Sequence, residues 1–326
     1  MTKYRLALAA SVLFGVAPPA FAQVETGQFT GPSMDAAVFA LSGVGGFQQG
    51  HAARNAIDQT LRGRFQLPGA SGTGDAVTRS DLFVSTQGNS GAAHEANAWL
   101  AFGGASYFDG YEGYSADLSA GMDWRLGQSG VLGLMLGAGK TDLEDSVSPE
   151  TGTSSYTVGA YAAHAFASGV VIDLYLAHSA LDYEVGAAAF DTTRTQAGFS
   201  VSGAVAMSTG VLQPRMRLSG SWEDFPLGVG GVTGGTTEQF IGSVGARHAF
   251  NATVMAGGLT PWASFDLEYG HQEDTTGVID YFLSPRVGLG VTGDLGAGVL
   301  STSIDIGYVR SDVYGVGIEM SYGFSF

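Results

Sequence analysis

From about His94 to Phe326 apolar and polar residues alternate with period two in one segment after another. Within 115–126, Ala116, Leu118, Ala120, Met122, Trp124 and Leu126 fall on one face, and Asp117, Ser119, Gly121, Asp123 and Arg125 on the other. Segment 212–223 sets Leu212, Met216, Leu218 and Trp222 against Gln213, Arg215, Arg217, Ser219, Ser221 and Glu223. Segment 300–308 sets Leu300, Ile304, Ile306 and Tyr308 against Ser301, Ser303 and Asp305. Successive side chains of a strand leave opposite faces, so strict alternation predicts strands with one apolar and one polar side. Twelve are predicted, at 97–108, 114–126, 130–141, 153–167, 170–183, 192–207, 211–223, 237–250, 253–269, 284–295, 298–309 and 314–326. That is about 19 residues per strand and connection, which suits tilted membrane strands of about 10 residues. Tight connections are predicted at 127–129, 168–169, 208–210, 251–252 and 296–297, and longer ones at 142–152, 184–191, 224–236 and 271–281.

Composition separates two folds that share this alternation. The chain is 45% hydrophobic and 13% charged, with 51 glycines among 326 residues. Soluble domains are about a quarter charged. A face that meets lipid cannot hold charge, which explains the deficit. In a soluble sandwich the polar face meets water and is rich in Lys, Glu and Thr; here it is Gly, Ser, Asp and Arg. Aromatics gather near strand ends, at Tyr107, Phe108, Tyr114, Trp124, Trp222, Phe225, Tyr269, Tyr308 and Tyr314, as interfacial girdles would. The expected fold is all-β transmembrane, a twelve-stranded antiparallel outer-membrane β-barrel over 94–326.

The first 22 residues read as a signal peptide. Lys3 and Arg5 precede an apolar run from Leu6 to Ala17, and Ala20-Phe21-Ala22 offers a cleavage site before Gln23. A run of about a dozen residues is short of the ~20 that a spanning helix needs. Residues 23–93 form a short N-terminal region. Its stretch 34–47 is apolar but broken by Gly43, Gly45 and Gly46. A helix is predicted at about 48–65 from Ala53, Ile57 and Leu61, with Arg54 placed to pair with Asp58. A linker follows at 67–91. The lumen is one place for this helix, where Arg54, Arg62 and Arg64 would meet Asp117, Asp123, Asp266 and Glu319. A periplasmic or surface position is the alternative.

Thirteen charges should point away from lipid: Asp117, Asp123, Arg125, Asp173, Arg215, Arg217, Glu223, Arg247, Asp266, Glu268, Arg286, Asp305 and Glu319. A polar conduit and a self-satisfied ion-pair network both follow from that placement. The net charge of −16 argues against binding nucleic acid, which needs a basic footprint. With no cysteine and six scattered histidines, neither a metal site nor a cofactor is expected. Residues 137–141 resemble a phosphate loop, but Leu134 stands where its first glycine belongs. The G-x-G-x-x-G of 288–293 lies inside a predicted strand. His178 and Ser179 fall on opposite faces, and no G-x-S-x-G is present, so no enzyme is expected.

The last segment alternates Tyr314, Val316, Ile318, Met320, Tyr322, Phe324 and Phe326 with Gly315, Gly317, Glu319, Ser321, Gly323 and Ser325. The terminal Phe326, with Phe324 and Tyr322, resembles the signal by which outer-membrane proteins are recognised by the barrel-assembly machinery. Trp99-Leu100-Ala101-Phe102-Gly103-Gly104, Gly113-Tyr114-Ser115-Ala116-Asp117, Gly121-Met122-Asp123-Trp124-Arg125-Leu126 and Leu132-Gly133-Leu134-Met135-Leu136-Gly137 follow in order. Together with the ending they resemble the autotransporter (type V secretion) β-domain family. The resemblance implies a translocator barrel in the outer membrane of a Gram-negative bacterium, with lipid, the assembly machinery and periplasmic chaperones as partners. The sequence departs from the family in having only about 70 residues between the signal and the barrel, with no β-helix repeat and no asparagine-pair junction. A very short or vestigial passenger is expected. A stand-alone passive channel of the same fold is the alternative, and a barrel lipase a distant third.

Overall fold

The computed structural model describes residues 34–64, 96–127, 129–144, 151–227, 233–251, 259–295 and 298–324. The expected signal peptide and the linker at 67–91 lie outside the described residues, as does Phe326. Among the described residues one helix, α1 (Met34–Arg64), precedes the strands β1 (Ala96–Asp109), β2 (Glu112–Leu126), β3 (Gly130–Glu144), β4 (Thr151–Ala165), β5 (Val171–Val185) and β6 (Ala188–Ser202). After Gly203 and Ala204 the three-residue β7 (Val205–Met207) continues the line of β6. Then come β8 (Gly210–Phe225), β9 (Gly235–Phe250), β10 (Thr260–Glu273), β11 (Ile279–Leu295), β12 (Gly298–Tyr308) and β13 (Val313–Phe324). Counting β6 and β7 as one, twelve antiparallel strands form a closed ring. β6 pairs with β8 along Thr193–Ser202, and β1 pairs with β13 from Ala101↔Ser321 to Asp109↔Val313.

Closure sorts the two faces of the alternation. Leu118, Leu134, Leu136, Val158, Leu176, Val244, Phe265, Leu283, Ile304 and Ile318 stand on the outer face, and Leu136 is 63% exposed. A continuous apolar belt of this kind has no place in water and suits lipid. Tyr114, Tyr156, Trp222, Tyr269 and Tyr281 face outward with it. Tyr107 and Phe225, expected in a girdle, instead point inward and are buried in an apolar cluster. They sit on odd positions of strands whose lipid-facing residues are even, so parity overrides their place near a strand end.

Five direct cross-strand pairs join an inward aromatic ring to a glycine: Trp99↔Gly121, Tyr161↔Gly133, Tyr175↔Gly198, Trp262↔Gly290 and Phe282↔Gly270. A Cβ added at any of these glycines would fall 2.0–2.4 Å from ring atoms. Each ring lies flat across the neighbouring strand where only glycine leaves room. Much of the inner wall's glycine content is therefore packing space.

Connections differ from expectation in three places. The segment 184–191 is a tight hairpin: β5 ends at Val185, β6 starts at Ala188, and Gly186 takes φ +58°, a left-handed conformation glycine adopts freely. Conversely, the connection expected at 251–252 runs from Asn251 to Leu259, and β10 starts at Thr260. His271 to Glu273, expected in a loop, extend β10, and the turn at 274–278 is held by the Asp274 carboxylate, which accepts from Thr276 N and Val278 N.

The helix starts fourteen residues earlier than the apolar stripe at Ala53, Ile57 and Leu61 indicates, and passes through Gly43, Gly45 and Gly46 unbroken. At 31 residues it is about 46 Å long, enough to run through the barrel. It packs against β1–β4, β6, β8 and β9. Its first half (Val38, Leu41, Val44, Phe47) packs on Tyr107, Leu143, Tyr183, Phe190, Phe225 and Val313 near one rim. Its second half (Ala53, Ile57, Leu61) packs on Trp99, Val131, Tyr161 and Val171 near the other. α1 therefore fills the lumen lengthwise.

Candidate functional site

The lumen and the helix inside it are the candidate site. The first half of α1 is held by wall side chains that bind its main chain. Gln272 Nε2 donates to Phe39 O at 2.9 Å, Gln239 Nε2 to Gly43 O at 2.9 Å, and Gln196 Nε2 to Gly46 O at 3.1 Å. Arg194 donates through Nη2 to Ser42 O at 3.2 Å and through Nη1 to Gln49 Oε1 at 2.9 Å. Acceptors at 39, 42, 43 and 46 lie on one face of a helix. The glycines on that face allow the approach: a Cβ at Gly43 would sit 2.2 Å from Gln272 Oε1, and one at Gly46 3.0 Å from Gln239 Oε1. This gives two of the three apparent helix breakers, Gly43 and Gly46, a packing role. None of these wall residues stood out in sequence, although the alternation Thr192, Arg194, Gln196 carried the signal.

All thirteen anticipated charges lie on the inner face. Glu223 accepts from Arg194 at 2.6 and 3.0 Å, from Thr192 Oγ1 at 2.7 Å and from Ser42 Oγ at 2.7 Å. Arg215 grips Asp266 through two bonds, of 2.8 and 2.5 Å. Arg286 bridges Glu268 at 2.8 Å and Asp305 at 2.5 Å, and its guanidinium lies 4.9 Å from the Phe47 ring. Asp117 accepts from Gln48 Nε2 at 3.0 Å. Asp123 accepts from Tyr161 OH at 3.1 Å, which in turn accepts from Trp99 Nε1 at 2.9 Å. Asp173 accepts from Ser200 Oγ. Arg247 stacks over Trp262 at 4.1 Å, and Arg125 is half-buried on β2. Glu319 accepts from Asn55 Nδ2 at 2.5 Å and stands 3.8 Å from His51 Nδ1.

The helix charges pair differently from expectation. Asp58 of α1 forms an ion pair with Arg217 of β8, and Arg217 also donates to Asn55 Oδ1 at 3.3 Å. Arg54 is buried and donates to Gly50 O at 3.1 Å, one turn back in its own helix, instead of pairing with Asp58 or a wall carboxylate. At the depth of Arg217 the wall offers a cation, so the helix answers with its carboxylate. Arg62 lies within α1, and its side chain is outside the described residues.

Among the described residues a polar cavity of about 50 Å³ lies beside the helix, lined by His51, Asp58, Arg217, Arg247, Asp266 and Glu319 among others, with room for a few waters. Ser179 faces inward, fully buried against Thr157 Oγ1 at 2.8 Å, while His178 faces outward to Thr195 Oγ1 at 3.1 Å. Tyr322 and Phe324 lie on β13, which pairs with both β12 and β1.

The model of the autotransporter beta-domain family matches residues 93–307, well over half of the chain. Among curated proteins, none matches the chain in sequence. The fold resembles the beta domain of the Bordetella autotransporter BrkA, with TM-score 0.55 and 16% identity, over 71% of this chain and all of that one. It resembles the translocator domain of the autotransporter NalP from Neisseria meningitidis, with TM-score 0.55 and 13% identity, over 72% of this chain and 91% of that one. An outer-membrane channel from Pseudomonas putida F1 matches with TM-score 0.50 and 11% identity, over 77% of this chain and 98% of that one. A closed twelve-stranded barrel with an apolar outer belt, a helix along its lumen and this family match admit one assignment: the chain belongs to the autotransporter β-domain family and resides in the outer membrane of a Gram-negative bacterium.

Proposed function

We propose that the barrel is a translocator that has carried the segment preceding Met34 to the cell surface and is closed by α1. The observation that carries this reading is the direction of the helix. Its start packs at the rim of Tyr111, Phe190, Phe225 and Val313, and its end nears the rim where β1 begins and β13 finishes. Connections of two or three residues lie on that second rim after β2, β7 and β11 and on the first rim after β1 and β5; with short turns facing the periplasm in such barrels, we take the second rim as the periplasmic one. Whatever precedes Met34 therefore leaves α1 on the outer side. No catalytic step enters this reading. The aromatic alternation through Tyr322 and Phe324 supports recognition of β13 by an assembly machinery while its edge is free.

The test is an epitope inserted between residues 23 and 33 of the full chain. Antibody should stain intact cells; staining only after the outer membrane is permeabilised would overturn the reading. A passive channel requires an open lumen, whereas Val38, Leu41 and Val44 are fully buried against the wall. In planar bilayers the full chain should stay closed and a chain lacking residues 34–64 should conduct. Steady conductance by the full chain would return the channel to first place.

A further inference from the structure

We infer that Arg194, Gln196, Gln239 and Gln272 form a track on the inner wall that binds polypeptide main chain irrespective of side chains, and that it guides a passing segment before it holds α1. The inference rests on the translocator reading and adds to it the residues that handle the cargo. These four side chains reach five acceptors on the helix, of which four are backbone carbonyls, at 39, 42, 43 and 46. Along the helix axis they cover about 10 Å of the lumen. A wall built only to recognise this one helix would be expected to read its side chains, as Glu319 reads Asn55 lower in the lumen. In the outer half Glu223, Asp117 and Ser155 also read the side chains of Ser42, Gln48 and Gln49, but Arg194, Gln196, Gln239 and Gln272 reach chiefly what every peptide carries.

The primary amides say more. An amide can donate and accept at once, which matches a peptide unit in an extended chain, where N–H and C=O are both free. A helix spends its N–H groups internally and offers only carbonyls to a wall. Gln272 fits that difference: it is 7% exposed, its Nε2 donates to Phe39 O, and its Oε1 has no hydrogen-bond partner among the described residues. The unused acceptor points toward Gly43, where an added Cβ would lie 2.2 Å from it. An extended segment in the same position presents an N–H to that oxygen. Arg194 is fixed by its ion pair with Glu223, so one donor of the track is rigid.

The experiment uses the full chain carrying, before Met34, one of two equally long tagged segments, one of Gly-Ser repeats and one of Ala-Thr repeats. Pulse-labelled cells are sampled for arrival of the tag at the surface, and the heat-modifiable band reports barrel assembly. In the Gln239→Glu/Gln272→Glu variant, size is kept and the donors are lost. Arrival should slow several-fold, equally for both segments, with assembly unchanged. If that variant assembles poorly, Gln196→Met is read in the same way. Unchanged arrival, or slowing confined to one segment, overturns the inference. If neither segment reaches the surface in the unaltered chain, the translocator reading falls and this inference with it; arrival at equal rates with and without the substitutions removes this inference alone.

Discussion

Replacing Arg194 by Met should loosen α1 from its seat, and the structure sets the size of the effect. Arg194 and Glu223 are 1% and 2% exposed, and the guanidinium also holds Ser42 O and Gln49 Oε1 of the helix. Hydrogen bonds to a charged group contribute about 1.5–3 kcal/mol each, so losing two, with some relaxation, should weaken docking by about 3 kcal/mol. At 1.36 kcal/mol per decade that is roughly a 100-fold rise in the open population. A cysteine at Ala40, fully buried in the docked state, reports it through labelling by a membrane-impermeant maleimide on purified folded protein. The single substitution also leaves Glu223 buried without its cation, an uncompensated charge that favours undocking. Arg194→Met/Glu223→Met removes that charge and should label more slowly than Arg194→Met. Labelling of the single variant at the unaltered rate, or a double variant that labels faster than the single, would refute the reasoning.

Gly133→Ala should lower the urea midpoint of the barrel by an amount equivalent to about 1–3 kcal/mol, because its Cβ would lie 2.2 Å from Tyr161 and dislodge a ring that bonds Trp99 and Asp123; an unchanged midpoint would rule out the ring-on-glycine packing. Leu134→Arg, in the middle of the outer face of β3, should cost about 2–4 kcal/mol of folding free energy in vesicles, whereas Leu126→Arg at the rim should cost about 0–1 kcal/mol; equal costs would contradict the position assigned to the lipid belt. Phe324→Ser/Phe326→Ser should reduce the heat-modifiable fraction in cells, and insertion at a normal level would remove the assembly role from the last strand.

Strands were legible because lipid on one side and a packed lumen on the other make alternation strict, as at 212–223, where every second residue had to choose. The early start of α1 was not. Gly43, Gly45 and Gly46 read locally as breakers, and only Gln272 and Gln239, some two hundred residues away, give Gly43 and Gly46 a purpose. Parity placed the thirteen charges on the inner face, but their partners depend on depth, which sequence does not carry. Arg217 meets Asp58 because helix and wall bring them to one level, and Arg54, one turn earlier, meets its own helix. Tyr107 and Phe225 lie near strand ends yet face inward, because odd and even numbering, not place along the strand, sets the side a residue faces.

The seam between β1 and β13 joins Ala101 to Ser321 and Asp109 to Val313, partners more than two hundred positions apart. A chain exported from its N-terminus presents β1 long before β13 exists, and until then one edge of β1 offers unpaired N–H and C=O groups. Loop closure over such a separation is slow and exposes strand edges to association for as long as it lasts. Ring closure is thus tied to the delivery of β13. Without it the sheet stays open and α1 lies on a surface that no longer encircles it.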